Sequence, residues 1–315
     1  MTETLAVYSL VMVYSALAVY VIAFVMFALD LGRRAASAPA RVREAELVGA
    51  GTTSPALVEE PPSSEPKRTP RFARVALALT VLALALHVAG TVLRGIAAER
   101  VPWANMFEFT LTASAIVVAI FLGVQLWQKL NFLGVFITGF ALVALGAATV
   151  NFYVDVVPLP PALQSVWLVV HVFVAAIGTG FLALGAGLSI AQLMQARREA
   201  TGKGPGFLGT LPDAERLEAL AYRLIVVGFV FWTFTLIAGA IWAERAWGRY
   251  WGWDTKEVWT FIIWVLFAGY IHARATRGWR GARSSWLAII GFSAVVFNFT
   301  IVNLFFKGLH AYSGL

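Results

Sequence analysis

Eight long apolar runs, separated by short polar or charged stretches, make up most of the chain; they cover roughly residues 5–29, 74–97, 107–128, 131–151, 166–193, 219–243, 257–274 and 284–306. Each is long enough to cross a hydrocarbon layer of about 30 Å as a helix. Inside lipid the backbone N–H and C=O groups have no water to bond, so they must bond within their own segment, which makes each run helical. The pattern therefore predicts an all-α fold, a polytopic integral membrane helical bundle of about eight transmembrane helices. Between the first two runs, Arg33 to Pro70 breaks the pattern with six of the twelve prolines among Ala, Glu, Ser and Thr. That stretch has too little apolar character to bury a core and is predicted to be a flexible linker. The organisation expected is an N-terminal helix over 1–31, a Pro-rich cytoplasmic linker over 32–73 and a membrane domain over 74–315. Pro158, Pro160 and Pro161 should shape the loop before the fifth run, and Gly202, Gly204, Pro205, Gly206 and Gly209 the one before the sixth. No internal repeat of the kind that builds inverted-repeat transporters is visible.

Composition agrees: 60% of residues are hydrophobic and 13% charged, against about 25% charged in soluble domains. The net charge of +7 does not call for a nucleic-acid partner, because its placement has a membrane explanation. Seventeen of the 24 basic residues fall on one set of alternate connecting segments, from Arg33 to Arg74, at Lys129, from Arg197 to Arg216 and from Arg274 to Arg283. Arg94, Arg100, Arg245, Arg249, Lys256 and Lys307 fall on the other set. Lys and Arg accumulate on cytoplasmic loops, so both termini, and the loop between the sixth and seventh runs, are predicted to be extracytoplasmic. Glu3 precedes the first run and Arg33-Arg34 follows it, the reverse of a cleavable signal, so it reads as a retained helix. The chain has no cysteine, which excludes disulfides, thiol catalysis and cysteine metal sites.

The sixth-to-seventh loop, residues 244–257, carries the densest chemistry. Trp247, Trp251 and Trp253 sit there with Arg249 and Tyr250, and Trp242 and Trp259 flank them. An interfacial aromatic belt explains Trp and Tyr in general, but not a dense run with Gly248 and Gly252 interleaved. The run reads better as an aromatic surface with cations beside it, suited to a flat ligand. Arg249, Arg245 and Lys256 are the nearest partners for ligand anions; Arg245 and Lys256 serve equally as solvated anchors. Asp254-Thr-Lys-Glu257 and Asn105-Met-Phe-Glu108 have the spacing of helix-capping boxes. Asp254 is thus expected mainly to cap the seventh helix, a role that Asn would also fill.

Four histidines occur: His87, His171, His272 and His310. In a membrane protein each is a functional candidate. His171 should lie roughly 8 Å into the fifth span, counted from the tryptophan-loop side. His310 follows the eighth span on that same side. Two imidazoles and an aromatic surface on one face suit a planar iron macrocycle with two axial nitrogens, the bland alternative being two hydrogen-bonded interfacial histidines. His272 and His87 differ in depth by about 10 Å by helical rise, which does not favour them as ligands of one iron. His272 then has no mate in this chain, and for His87 an interhelical hydrogen bond competes with a ligand role.

Trp247-Gly-Arg-Tyr-Trp251-Gly-Trp253-Asp254-Thr-Lys256-Glu257 resembles the tryptophan-rich "WWD" signature of haem-handling proteins. Within that group the chain resembles the CcsA/ResC family of System II cytochrome c biogenesis, labelled CcsB in some lineages. The likeness extends to Val101-Pro-Trp103-Ala-Asn105-Met-Phe-Glu108, Tyr270-Ile-His272-Ala-Arg274 and Asn303 to Tyr312, and covers roughly residues 75 to 315. Thr255 and Gly252 depart from the pattern, where proline and serine are usual. The resemblance implies a multi-pass plasma-membrane protein that holds haem b at the outer face for thioether attachment to the C-x-x-C-H motif of apocytochrome c. It implies His171 and His310 as axial ligands of the outer haem, and His272 as a transmembrane ligand paired with a histidine of a ResB-type partner. It also implies a component of a holocytochrome c synthase, served by a thiol-reducing protein. Two other readings stay open: a CcmC-like haem-delivery protein, and a membrane assembly subunit that binds no haem.

Overall fold

The computed structural model describes residues 2–50, 71–156, 163–306 and 308–310, with side chains from residue 3 to 36 in the first segment. Eight long helices follow in order: α1 Thr2–Ala50, α2 Arg71–Ala98, α3 Met106–Gln125, α4 Leu133–Asn151, α5 Val166–Thr201, α6 Ala214–Trp247, α7 Thr255–Thr276 and α8 Ala282–Phe297. A π-turn, Asn298–Val302, continues α8 into Asn303–Phe305. All eight are long and apolar enough to cross a membrane, and every other end therefore gathers at the tryptophan loop. Among the described residues there is no strand.

Three helix lengths differ from the hydropathy pattern. The backbone of α1 stays helical to Ala50, through an Ala-, Arg- and Glu-rich stretch of high helix propensity that hydropathy assigns to a linker. Residues 51–70 and the prolines at 158, 160 and 161 lie outside the described residues. Helices α5 and α6, with 36 and 34 residues, outrun their apolar runs because their polar ends can stay helical beyond the hydrocarbon. Between them the glycine-rich loop closes on Gly202 at φ 66° and a short 3-10 turn, Gly206–Thr210.

The core has two halves that share α5 and α6. One joins α1 to α5 and the start of α6 through Tyr20, Phe27, Phe107, Leu111, Leu145, Leu188 and Leu217. The other joins α5 to α8 through Leu182, Ile225, Trp232, Ile263, Phe267 and Ala288. In lipid, close packing replaces the hydrophobic effect as the force between helices, and small residues permit it. Gly185 and Gly228 do so here: a Cβ added at Gly185 would meet Ile225 at 2.4 Å, and one at Gly228 would meet Leu182 at 2.9 Å. At the tryptophan-loop end Trp242 joins Leu163 and Leu168 in a third small cluster.

A buried ion group fixes the α2–α3 corner of that end. Glu108 accepts from Arg94 Nε at 3.0 Å and from Arg100 Nη1 at 2.6 Å, and Arg94 also donates to Val154 O at 2.7 Å beyond α4. Asn105 caps α3 as its spacing predicts, accepting from Glu108 N at 2.9 Å. The acid reaches back one residue further than a capping box requires, to Ala104 N at 3.0 Å, because both arginines draw the carboxylate towards the loop.

Candidate functional site

Six helices, α3 to α8, line a cavity of about 460 Å³ that opens at the tryptophan-loop end and runs into the bundle. That is within the range of about 300–1,000 Å³ usual for small-ligand sites. Its walls are mainly apolar, with Phe109, Phe140, Leu168, Leu236 and Phe299 among them.

Both histidines at this end line the cavity. His171, in the second turn of α5, places Nδ1 2.9 Å from Thr235 O of α6. A carbonyl can only accept, so Nδ1 carries the hydrogen and Nε2 keeps its lone pair. The ring fits against α6 because residue 239 is glycine; a Cβ there would stand 2.8 Å from the imidazole. His171 stacks on Trp242 with ring centroids 5.8 Å apart. His310, far away in sequence, meets the edge of the same indole at 5.4 Å and that of Trp247 at 4.8 Å. Its Nδ1 lies 3.0 Å from Asp254 Oδ1, so here too Nε2 is the nitrogen left for a ligand. Trp242 thus holds two imidazoles beside one cavity.

Asp254 caps α7 as its spacing predicts, in a complete capping box with Glu257. It also does more. Oδ1 accepts from Lys256 N at 2.9 Å and faces His310, while Oδ2 accepts from Leu309 N at 2.9 Å. The His310 bond first of all, then the Lys256 and Leu309 amides, hold this carboxyl down to about 2 in pKa against the opposing effect of burial. The loop before it is shaped by Gly248 at φ 70° and by Trp253 at φ 57°, a left-handed value uncommon for a bulky side chain. That turn lets the amides of Gly252 and Asp254 both donate to Glu257 Oε2, at 2.7 and 3.1 Å.

The aromatic residues of the loop divide. Tyr250 and Trp251 line the cavity; Trp247 packs on His310 and Trp242 instead. Trp253, 78% exposed, touches Trp251 edge-on and lies outside the cavity lining. The cations divide too. Arg245 is exposed beside Glu244 at 3.4 Å. Arg249 is exposed and folds over Gly252. Lys256 lines the cavity and donates to Asn303 Oδ1. Asn105 is a lining residue, whereas Glu108 supports the wall from behind.

The other two histidines lie elsewhere. His87 is fully buried between α1, α2 and α3, with Nε2 2.8 Å from Leu111 O and Nδ1 3.4 Å from Tyr20 OH; both ring nitrogens are engaged within the bundle. His272 is exposed on α7 near the opposite end.

Several site residues do not stand out from sequence patterns alone: Thr235 and Gly239, which seat His171, and Asn298 and Asn303, in the π-turn after α8 and the helical segment that follows it. Asn298 carries no signal beyond an amide inside an otherwise apolar run, and Asn303 only its place at the start of the C-terminal segment that carries the family resemblance. Three polar atoms of lining residues are buried without a hydrogen-bond partner among the described residues: Trp103 Nε1, Glu257 Oε1 and Asn298 Oδ1. A buried orphan costs about 1–3 kcal/mol, which a ligand with polar groups would relieve. Two imidazole nitrogens, apolar walls and the unpaired Trp103 indole N–H fit an iron macrocycle bearing carboxylates, whereas Glu257 Oε1 and Asn298 Oδ1 can only accept. Among the described residues no cluster of His, Cys, Asp and Glu forms a bare metal-ion site.

Comparison with known proteins gives a consistent result. Residues 70–310 match the family described as Cytochrome C assembly protein. The "Cytochrome c biogenesis protein CcsA" of Gloeobacter violaceus is 34% identical, the match covering 79% of this chain and 89% of that protein. Its namesake from Trieres chinensis is 33% identical, over 70% and 81% of the two chains. The one from a Synechococcus strain is 40% identical over a shorter region, 49% of this chain and 58% of that protein. Among solved structures, "Cytochrome c Heme Lyase CcmF" superposes with a TM-score of 0.64 at 17% identity, covering 98% of this chain. This chain spans about half of that one, 48%, and the likeness is one of fold.

Proposed function

Because this chain belongs to the cytochrome c assembly protein family, with the CcsA proteins among its relatives, we propose that it binds haem b at the tryptophan-loop end and presents it for covalent attachment to apocytochrome c. One observation carries the reading: His171 and His310 share Trp242, each held through Nδ1, with Nε2 left beside a common cavity. Histidine is a common axial ligand of haem iron, and an Nδ1 partner that fixes the tautomer is the usual support of a metal-binding imidazole.

The reaction joins two cysteine thiols of the substrate to the two haem vinyl groups. Each thiol adds across a C=C bond: sulfur bonds one vinyl carbon and the thiol hydrogen ends on the other, so no atom is lost. This chain contributes position. His171 and His310 hold the iron, Tyr250 and Trp251 face the ring from the loop, and the apolar walls exclude water, which brings vinyl and thiol together as neighbours rather than as solutes. The substrate's own C-x-x-C-H histidine displaces one imidazole and releases the product.

The charge asymmetry of the loops supports an extracytoplasmic tryptophan loop and termini in the plasma membrane, with residues 32–73 on the cytoplasmic side. The exposed position of His272 supports a ligand role shared with a histidine of a ResB-type membrane partner. The substrate thiols must arrive reduced, which requires a thiol-reducing protein.

The test is co-purification with a ResB-type partner, followed by an absorption spectrum and an assay for covalent haem on apocytochrome. The expected outcome is a Soret band that falls several-fold in His171→Ala and in His310→Ala and returns with added imidazole. Undiminished attachment with both histidines removed overturns the assignment.

A further inference from the structure

Axial ligation leaves one degree of freedom open. Two imidazoles bind iron along the ring normal and do not fix rotation of the macrocycle about that axis. Attachment needs that rotation fixed, because two vinyl groups must meet two thiols in a set order. The propionates lie at the edge of the macrocycle and are its only charged groups, so a cation at the cavity wall would fix it.

Of the three cations in and beside the tryptophan stretch, only Lys256 lines the cavity. Its ammonium has three donors and makes one hydrogen bond among the described residues, to Asn303 Oδ1. No hydrogen bond joins its ammonium to Asp254, whose oxygens accept from the Leu309 and Lys256 amides and face His310. The geometry of α8 is arranged around this contact. On a regular α-helix, Asn298 and Asn303 would point about 140° apart. The π-turn Asn298–Val302 brings both to α7, where they meet Thr260 and Lys256, one turn apart: Asn298 Nδ2 donates to Thr260 Oγ1 at 3.3 Å, and Lys256 donates to Asn303. Single π-turns of this kind are frequent at functional sites. A second, independent donor enters from the α2–α3 loop. Trp103 Nε1 is buried, lines the same cavity and has no partner among the described residues; its loop is pinned by Glu108 through Ala104 N and Arg100.

We propose that Lys256 and the Trp103 indole N–H receive the propionate carboxylates and so set the rotation of the macrocycle, with Asn303 steering the ammonium. This inference rests on the haem-binding reading above. Carboxylates accept only, and a charge-assisted bond from an ammonium is about twice as strong as a neutral one, so Lys256 carries the larger share and Trp103 the smaller.

The probes are haemin and its dimethyl ester, which lacks the carboxylate charges, titrated separately into the full chain in nanodiscs and followed at the Soret band. The wild type should favour the diacid about tenfold or more, as expected for a hydrogen bond to a charged group. Lys256→Met should remove most of that preference by weakening the diacid alone, its retained ester binding serving as the check on folding. Trp103→Phe, which removes only the N–H, should lower the ratio part of the way and gives a second reading if Lys256→Met does not fold. An unchanged preference in Lys256→Met, or in Trp103→Phe where the lysine variant does not fold, overturns the proposal. So does a preference that depends on Arg249 instead. If the wild type binds neither compound, the haem-binding reading itself is what fails.

Discussion

Beyond its capping box with Glu257, Asp254 serves the amide of Lys256, the amide of Leu309 and Nδ1 of His310. Only the first is local in sequence, and it makes the helix cap that the Asp254–Glu257 spacing predicts. The other two come from 55 and 56 residues away. They change what Asp254→Asn should do. Read as a cap alone, Asn is a near-equivalent; the Ala variant would cost about 0.5–2 kcal/mol and Asn little. With His310 in place, Asn removes the negative charge that steadies the imidazole. It also sets an NH2 group either against the Leu309 amide or against the His310 and Lys256 donors. Asp254→Asn is therefore expected to melt within a few degrees of wild type while losing haem several-fold, with a shifted Soret maximum. A variant with wild-type occupancy and an unshifted spectrum would return Asp254 to the role of a cap. Gly308 belongs to the same arrangement, since a Cβ there would fall 2.2 Å from Asp254 Oδ2.

Among the elements, the α2–α3 corner shows how a wall of the cavity is made rigid. Arg94 and Glu108 are 1% and 0% exposed and form a charge pair, with Arg100 completing the group. Buried pairs of this kind add little over apolar packing, yet removing one partner leaves an uncompensated charge, at a cost of about 3–5 kcal/mol. Glu108→Gln should accordingly lower the thermal midpoint in detergent by several degrees or more. It should also loosen the loop that carries Trp103 and Asn105. A variant as stable as wild type would mean that Arg94 finds enough compensation from Val154 O and from the Phe107 and Tyr153 rings beside it.

At the scale of the molecule, α5 is common to both halves of the core and α7 stands at one side of the bundle. Four exposed positions of α7 form a line, Phe261, Val265, Gly269 and His272. The histidine on that face is open to another chain, as the proposed sharing of a transmembrane haem would require. In the complex with a ResB-type partner, His272→Ala is expected to lower total haem, measured chemically per complex, and to do so more strongly than in the chain purified alone. Equal losses in the two preparations would detach His272 from the partner.

The eight spans, their helical state and the alternation of their ends were legible in the sequence because each depends on a continuous stretch of chain and on the chemistry of lipid. The cap at Asp254 was legible for the same reason, spanning three residues. The partners of the histidines were not. These helices are apolar nearly all round, so no amphipathic stripe marks which face turns inward. Which tryptophans reach the cavity, that His87 is taken up by Tyr20 and Leu111, that Trp242 joins His171 to His310, and that Lys256 rather than Arg249 faces the interior were all decided by how the helices pack. Close contact among small residues and a few buried polar groups set that arrangement, and both act between residues far apart in the chain.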